Sequence, residues 1–430
     1  MTDQQGDYTT TRVPESATVG GLSIMGIIVG IGITLPVFYV GANVAQSIGF
    51  QSALIVFLFV AFFLGTLCTV TSIIGRRTRL STYMILHFPF GRRGVKLVNL
   101  IVALPALGWY AITIELFGQA ISDALQQLLN VEISLFLLIT ISSALMTLTT
   151  IFGFRVIEKF SNVAVPFLIL FVGYILYVTL QGEGNWDIIW TTKGNGSMTT
   201  LEAISIITGT SILMPVFMPD FTRFAKKNKD ALLGALGLGI GYPLILVAGA
   251  APSILTGEED IMKIMIGLNL TIPALFILVF STWTTNVVNL YSAILVFSTL
   301  NKNWKFWAIG VVSSIIATLL ALMGFSTYFI DMLTFISLVV PSLASIFILH
   351  YYFIGKGHYD VSKISSLPDY NWYALGAWIA SSLVAIATHN NLFQLTTIPF
   401  IDAFLAGLLF YGIMLPYIKG PNLHNTLHKS

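Results

Sequence analysis

A run of hydroxyls and amides, Ser281-Thr282-Trp283-Thr284-Thr285-Asn286-Val287-Val288-Asn289, interrupts a long apolar stretch of this 430-residue chain. Helical spacing puts Ser281, Thr285 and Asn289 on one face, with Thr284 beside them. Neutral oxygens grouped this way suit a small hard cation that needs no carboxylate. The same hydroxyls can instead bond to backbone or to neighbouring helices, as Ser and Thr do in membrane bundles. Both readings stay open on these residues alone. In a second apolar stretch Gly108 precedes Trp109 and Tyr110, and Thr113 lies one turn beyond Trp109. A tryptophan there either fills the core or stacks on a flat ligand, a contact worth roughly 0.5–1.5 kcal/mol beyond area burial. Glu115, in the same stretch, is expensive to place among apolar residues. It is a possible proton site, a partner for a helix terminus, or a protonated hydrogen-bond donor, and it lies roughly 120° around the helix from Trp109.

These groups sit in membrane spans. Charged residues make up 9% of the chain and mean hydropathy is +0.86, values outside the range of soluble domains. Residues 16–75 contain no Asp, Glu, Lys or Arg, enough for two helical spans at about 20 residues each. The same reasoning predicts an all-α integral membrane protein with twelve transmembrane helices, near 20–44, 50–74, 96–121, 134–152, 161–181, 200–219, 231–254, 270–299, 305–324, 328–354, 371–389 and 398–418. The runs are too long and continuous for the alternating strands of a β-barrel.

Of the 21 Lys and Arg residues, all but Lys193 and Lys263 fall in the tails and the even-numbered loops. Because basic residues accumulate on the cytoplasmic side, both termini are expected inside a cytoplasmic (inner) cell membrane. The single cysteine, Cys68, excludes a disulfide framework and a cysteine-based zinc site. The histidines are scattered, and no metal site beyond a possible sodium site is indicated. Gly237, Gly239 and Gly241 lie within a span and read as close helix packing, not as a nucleotide loop. The basic loops alternate with spans, so nucleic-acid binding is not expected. A channel would need filter loops or charged rings, and an enzyme would need a cluster of His, Cys or acidic groups. Neither is visible. A lipid-embedded monomer without a prosthetic group is the expectation.

Two spans carry breakers at matching places: Gly30, Gly32 and Pro36 in the first, Gly209, Pro215 and Pro219 in the sixth. Paired interruptions of this kind point to a transporter's binding site. Thr208, Gly209, Thr210 and Ser211 cluster at the second break, where unwound backbone is tolerable only against a cavity. The expected organisation is a polar, disordered tail over 1–19, a first repeat of spans 1–5 over 20–181, a second repeat of spans 6–10 over 200–355, two additional spans over 371–418 and a tail over 419–430. Five helices per repeat force the second to be inverted.

Gly108-Trp109-Tyr110, the segment Pro219-Asp220-Phe221-Thr222-Arg223-Phe224, and Trp283-Thr284-Thr285-Asn286 with Tyr291 resemble, in order and spacing, the nucleobase–cation symporters and among them the cytosine permease branch. The resemblance runs from Val13-Pro14 through the last span. It implies a leucine-transporter-type five-plus-five inverted repeat with broken first and sixth helices, importing a nucleobase with a cation by alternating access. In that motion the first, second, sixth and seventh spans rock against the rest and the tenth acts as a thin gate. The implied sodium site comprises the carbonyls of Gly30, Ile33 and Ser281 and the hydroxyls of Thr284 and Thr285. Trp109 aligns with the family's stacking ring, and Gly209 through Leu213, with Thr210 and Ser211 between, align with its broken sixth span.

The sequence departs from that pattern at three positions. Ala106 stands where the cytosine permeases have glutamine, Ser211 where they have an aromatic ring, and Glu115 where they have a small apolar residue. An unreplaced buried hydrogen-bond partner costs about 1–3 kcal/mol, so Asn286, Asn289 or the ring of Phe217 must compensate, with Thr113 a further substrate-binding candidate. Cytosine is the favoured substrate. Purines, hydroxymethylpyrimidine, hydantoins and allantoin are alternatives, as is an amino acid in a sister transporter of the same fold. The coupling ion is sodium or a proton.

Overall fold

The computed structural model describes residues 8–259, 263–264, 271–300 and 304–418. The expected tail over 419–430 and the first seven residues of the other tail lie outside them. All twelve expected spans are helical. Among the described residues, seven helices are long and apolar enough to cross a membrane, and a bent pair, Gly21–Gly32 with Leu35–Ile48, makes an eighth crossing. Leu135–Thr150 and Phe306–Leu322 are apolar and shorter. Thr271–Leu300 forms the eighth span, Phe329–Leu349 the tenth, Trp372–His389 and Pro399–Met414 the last two. Two boundaries differ from expectation: the third span runs on to Leu129, and the fifth starts at Phe154. The added turns carry Asp123 and Arg155, whose charges mark solvent to a hydropathy reading although the helix continues past them. Short helices Thr82–Ile85, His87–Phe90 and Asn185–Thr191 fill loops for which the sequence carries no helical pattern.

The first span breaks beside a proline. The helix ends at Gly32 and restarts at Leu35 with Pro36 in its first turn, where its missing N–H is no loss because first-turn donors have no intrahelical partner. Between them Ile33 (φ −81°, ψ 86°) and Thr34 (φ −140°, ψ 150°) are not helical, and the halves bend by 56°. The sixth span is interrupted less. Helices Thr200–Ser211 and Leu213–Thr222 meet at Ile212, which keeps helical angles and donates its N–H to Thr208 at 2.8 Å. Pro215 and Pro219 withdraw donors from Ser211 and Pro215 without unwinding the chain.

Spans one, two, six and seven pack backbone to backbone. A Cβ on Gly249 would collide with the Phe38 carbonyl oxygen, and one on Gly41 with that of Leu246. Gly237 and Gly241 likewise face Met25 and Val29 of the first span, the helix packing expected of them.

The basic loops gather at one end, here the basic end. The tail was expected to be disordered, but from Tyr8 it is tied down. Val13 donates to the Arg79 carbonyl at 3.1 Å, Val19 to Phe224 at 2.7 Å, and Arg155 Nη2 to Ala17 at 3.0 Å. Arg12 donates to the Tyr359 carbonyl. Arg223, fully buried, donates to the Tyr8 carbonyl and the Tyr291 hydroxyl, each at 2.8 Å. Composition missed this because the tail supplies mostly backbone groups, which any sequence has. Asp402 is buried and accepts from Thr388 Oγ1 at 2.7 Å and from the Leu395 and Thr396 amides at 3.0 and 2.9 Å. It organises the turn between the last two spans.

Gly249→Val is expected to lower the thermal unfolding midpoint in detergent, through an overpacking cost of roughly 1–3 kcal/mol. An unchanged midpoint would show that spans one and seven are not held this close.

Candidate functional site

The last carbonyls of a helix have no intrahelical donor, and at the break in the first span those groups face the eighth span. Thr284 donates its hydroxyl to the Gly30 carbonyl at 3.1 Å and to its own helix at Ser281 at 2.9 Å. Thr285 reaches the Ile31 carbonyl at 3.5 Å. The approach needs a glycine: a Cβ on Gly30 would lie 2.9 Å from Val165 Cγ2 and 3.5 Å from Thr284 Cβ. Ile33 stands in the break itself, buried. The outcome is a cluster of neutral oxygens from Gly30, Ile31, Ser281, Thr284 and Thr285. Such a donor set fits a hard monovalent cation. Among the described residues no group of three or more His, Cys, Asp or Glu could hold a metal.

Directly beside the oxygens lies a cavity of about 40 Å³. The break contributes Ile31, Gly32 and Thr34, the third span Trp109, the sixth Thr210, Ser211, Leu213, Met214 and Phe217, and the eighth Thr285, Val288 and Asn289. Among the described residues, two polar atoms of the residues at this wall have no partner: Thr34 Oγ1 and Asn289 Nδ2. Buried polar groups are normally satisfied, so an unpaired hydroxyl and amide on two residues that line one cavity mark where a polar ligand would bind. Thr34 escapes a sequence reading, since an isolated threonine carries no pattern; only its place at the break beside Pro36 distinguishes it. Tyr242 was missed too. Its hydroxyl donates to the Ile207 carbonyl at 2.6 Å and is bonded to Thr210, which holds the upper sixth span against the seventh.

Several expected site residues face elsewhere. Thr113 donates to the Trp109 carbonyl at 2.6 Å, which stiffens the helix beneath the ring. Asn286 points its Nδ2 at Met146 Sδ, 3.5 Å away, because it is one residue off the face shared by Thr285 and Asn289. Trp283 donates to Thr149 Oγ1 at 3.1 Å and fastens the eighth span to the fourth. Gly209 lies against the tenth span, where its added Cβ would be 2.5 Å from the Leu333 carbonyl oxygen. Glu115 accepts from the Ser326 amide at 2.8 Å and from Ser326 Oγ at 2.6 Å. Trp109 packs edge-on against Phe329, with ring centroids 5.5 Å apart at 83°. Phe217, named as a substitute ring, does line the cavity, as does Ser211.

The family described as permease for cytosine/purines, uracil, thiamine, allantoin matches residues 13–412. The cytosine permease of Escherichia coli (strain K12) is 27% identical over 417 residues, covering 97% of this chain and 96% of that protein. The hydantoin permease of Microbacterium maritypicum is 25% identical over 340 residues, 71% of this chain and 69% of that one. Mhp1, a nucleobase-cation-symport-1 family transporter solved in a closed conformation with bromovinylhydantoin bound, superposes with a TM-score of 0.84 at 20% identity, over 95% of each chain. Its inward-facing form gives 0.78, over 94% of this chain and 92% of that one.

Thr284→Ala leaves the Gly30 carbonyl without its donor and is expected to cost about 1–3 kcal/mol of stability without added cation. Unfolding of the purified variant in detergent measures it, and an unaltered midpoint would mean that the carbonyl finds another partner.

Proposed function

This chain belongs to the family of permeases for cytosine/purines, uracil, thiamine and allantoin, and from that premise we propose that it imports a nucleobase, cytosine foremost, by sodium symport through alternating access. The observation that carries the proposal is the adjacency of two half-sites across one break: the oxygens at Gly30, Ile31, Thr284 and Thr285, and the cavity bordered by Thr34, Trp109 and Asn289. The base stacks on Trp109 against the Phe217 side. Its ring carbonyl or nitrogen accepts from Asn289 Nδ2, and Thr34 meets a second polar atom on its edge. Sodium takes the carbonyls of Gly30, Ile33 and Ser281 and the hydroxyls of Thr284 and Thr285, and so fixes the non-helical residues that carry Thr34. Coupling arises because the ion prefers the conformation in which the base wall is assembled.

The basic end faces the cytoplasm, consistent with the distribution of Lys and Arg, and the protein works as a monomer in the cytoplasmic membrane. Engagement of Glu115 with Ser326, away from the cavity, favours sodium over a proton as coupling ion. Spans one, two, six and seven move as the rocking group, in keeping with their glycine contacts.

Radiolabelled cytosine should accumulate in proteoliposomes under an inward sodium gradient and not under a proton gradient alone. Proton-driven accumulation would overturn sodium coupling. No accumulation under either, with competition instead by a purine, hydantoin or allantoin, would move the substrate within the family. Asn289→Ala and Trp109→Ala should each weaken cytosine binding roughly tenfold or more, the factor that 1.4 kcal/mol gives. Unchanged affinity in either would remove that residue from the base site.

A further inference from the structure

Ser326 belongs to the short turn Phe325–Tyr328, which runs directly into the tenth span at Phe329, and its N-cap residue, Gly324, offers no side chain to the turn's amides. The cap comes from the third span. Glu115, buried, takes the Ser326 amide at 2.8 Å and the Ser326 hydroxyl at 2.6 Å, with Gln119 Nε2 at 3.5 Å from the same carboxylate. Three residues after Ser326, Phe329 lies edge-on over Trp109. Trp109 borders the central cavity, whereas Phe329 and Leu35 border a second cavity of about 390 Å³ toward the end opposite the basic one, with Gln119 and Asp123 on its wall. The pair Trp109 and Phe329 therefore stands between the two spaces. One turn farther along, Leu333 lies against Gly209, closer than any side chain there would allow.

We propose that Glu115 is a positioning residue that latches the gate at this end. By holding the turn before Phe329, its carboxylate keeps the tenth span seated against Gly209 and Phe329 over Trp109. Opening that path means withdrawing Ser326 from Glu115, which leaves a buried carboxylate with fewer donors, and the closed arrangement is favoured accordingly. Both short bonds of the carboxylate go to the gate turn and neither reaches the central cavity, so Glu115 acts on the gate and not on a ligand. The proposal rests on the alternating-access reading only for the meaning of opening. Its test needs no substrate, so an error in the choice of base leaves it readable.

The test uses the full chain in sealed proteoliposomes, with Cys68→Ser to remove the native thiol and Val288→Cys as a reporter in the central cavity. A membrane-impermeant thiol reagent is applied to the end opposite the basic one. Glu115→Ala should speed labelling about tenfold, the order expected for hydrogen bonds to a charged group, and Ser326→Ala, which keeps the amide, should speed it less. The two together should be no faster than Glu115→Ala alone, because they break one contact. With reagent applied at the basic end the rates should match the parent. Equal labelling of Glu115→Ala and parent, or additive effects, would overturn the latch, as would acceleration from both ends, which marks general loosening. If Glu115→Ala does not fold, Ser326→Ala carries the comparison alone, with the same two sides.

Discussion

A carbonyl freed inside a bilayer has no water to turn to and must find a donor within the protein. The break beside Pro36 frees carbonyls at the end of the first half-helix, and most of what is distinctive in this molecule follows from where they go. Thr284 and Thr285 supply hydroxyl donors from the eighth span. That pairing requires a glycine at position 30 for the helices to meet and leaves the next residues, Ile33 and Thr34, extended. An extended Thr34 then lines a cavity, and its hydroxyl has no partner among the described residues. One break thus yields both an oxygen cluster and a polar residue on the adjoining wall.

The two ends are held together by different chemistry. At the basic end a buried arginine, Arg223, ties the amino-terminal segment to the sixth and eighth spans through a backbone carbonyl and the Tyr291 hydroxyl. At the other end the contacts are an aromatic edge, a carboxylate on a turn and a close backbone approach at Gly209.

The spans, the break in the first of them and the hydroxyl face of the eighth were legible in the sequence, because hydropathy, proline and four-residue spacing act locally. What stayed hidden depends on the partner. Gly209 and Gly30 look alike as glycines, yet one seats the tenth span and the other admits the eighth. Asn286 and Asn289 look alike as amides, and a three-residue offset turns one toward Met146 and leaves the other at the cavity. The sixth span carries two prolines and is nonetheless nearly continuous, since missing donors alone do not change φ and ψ. The amino-terminal segment is bound mainly through its backbone, which no composition reveals.

If the break couples an ion to a base through the same few residues, the two affinities must be linked. Binding linkage is reciprocal, so equilibrium affinity for cytosine should be measured in detergent across a sodium series, and affinity for sodium across a cytosine series. The expected result is that each ligand tightens the other by the same factor, and that this factor vanishes when Thr284 and Thr285 are both alanine. Cytosine binding indifferent to sodium in the parent protein would contradict it.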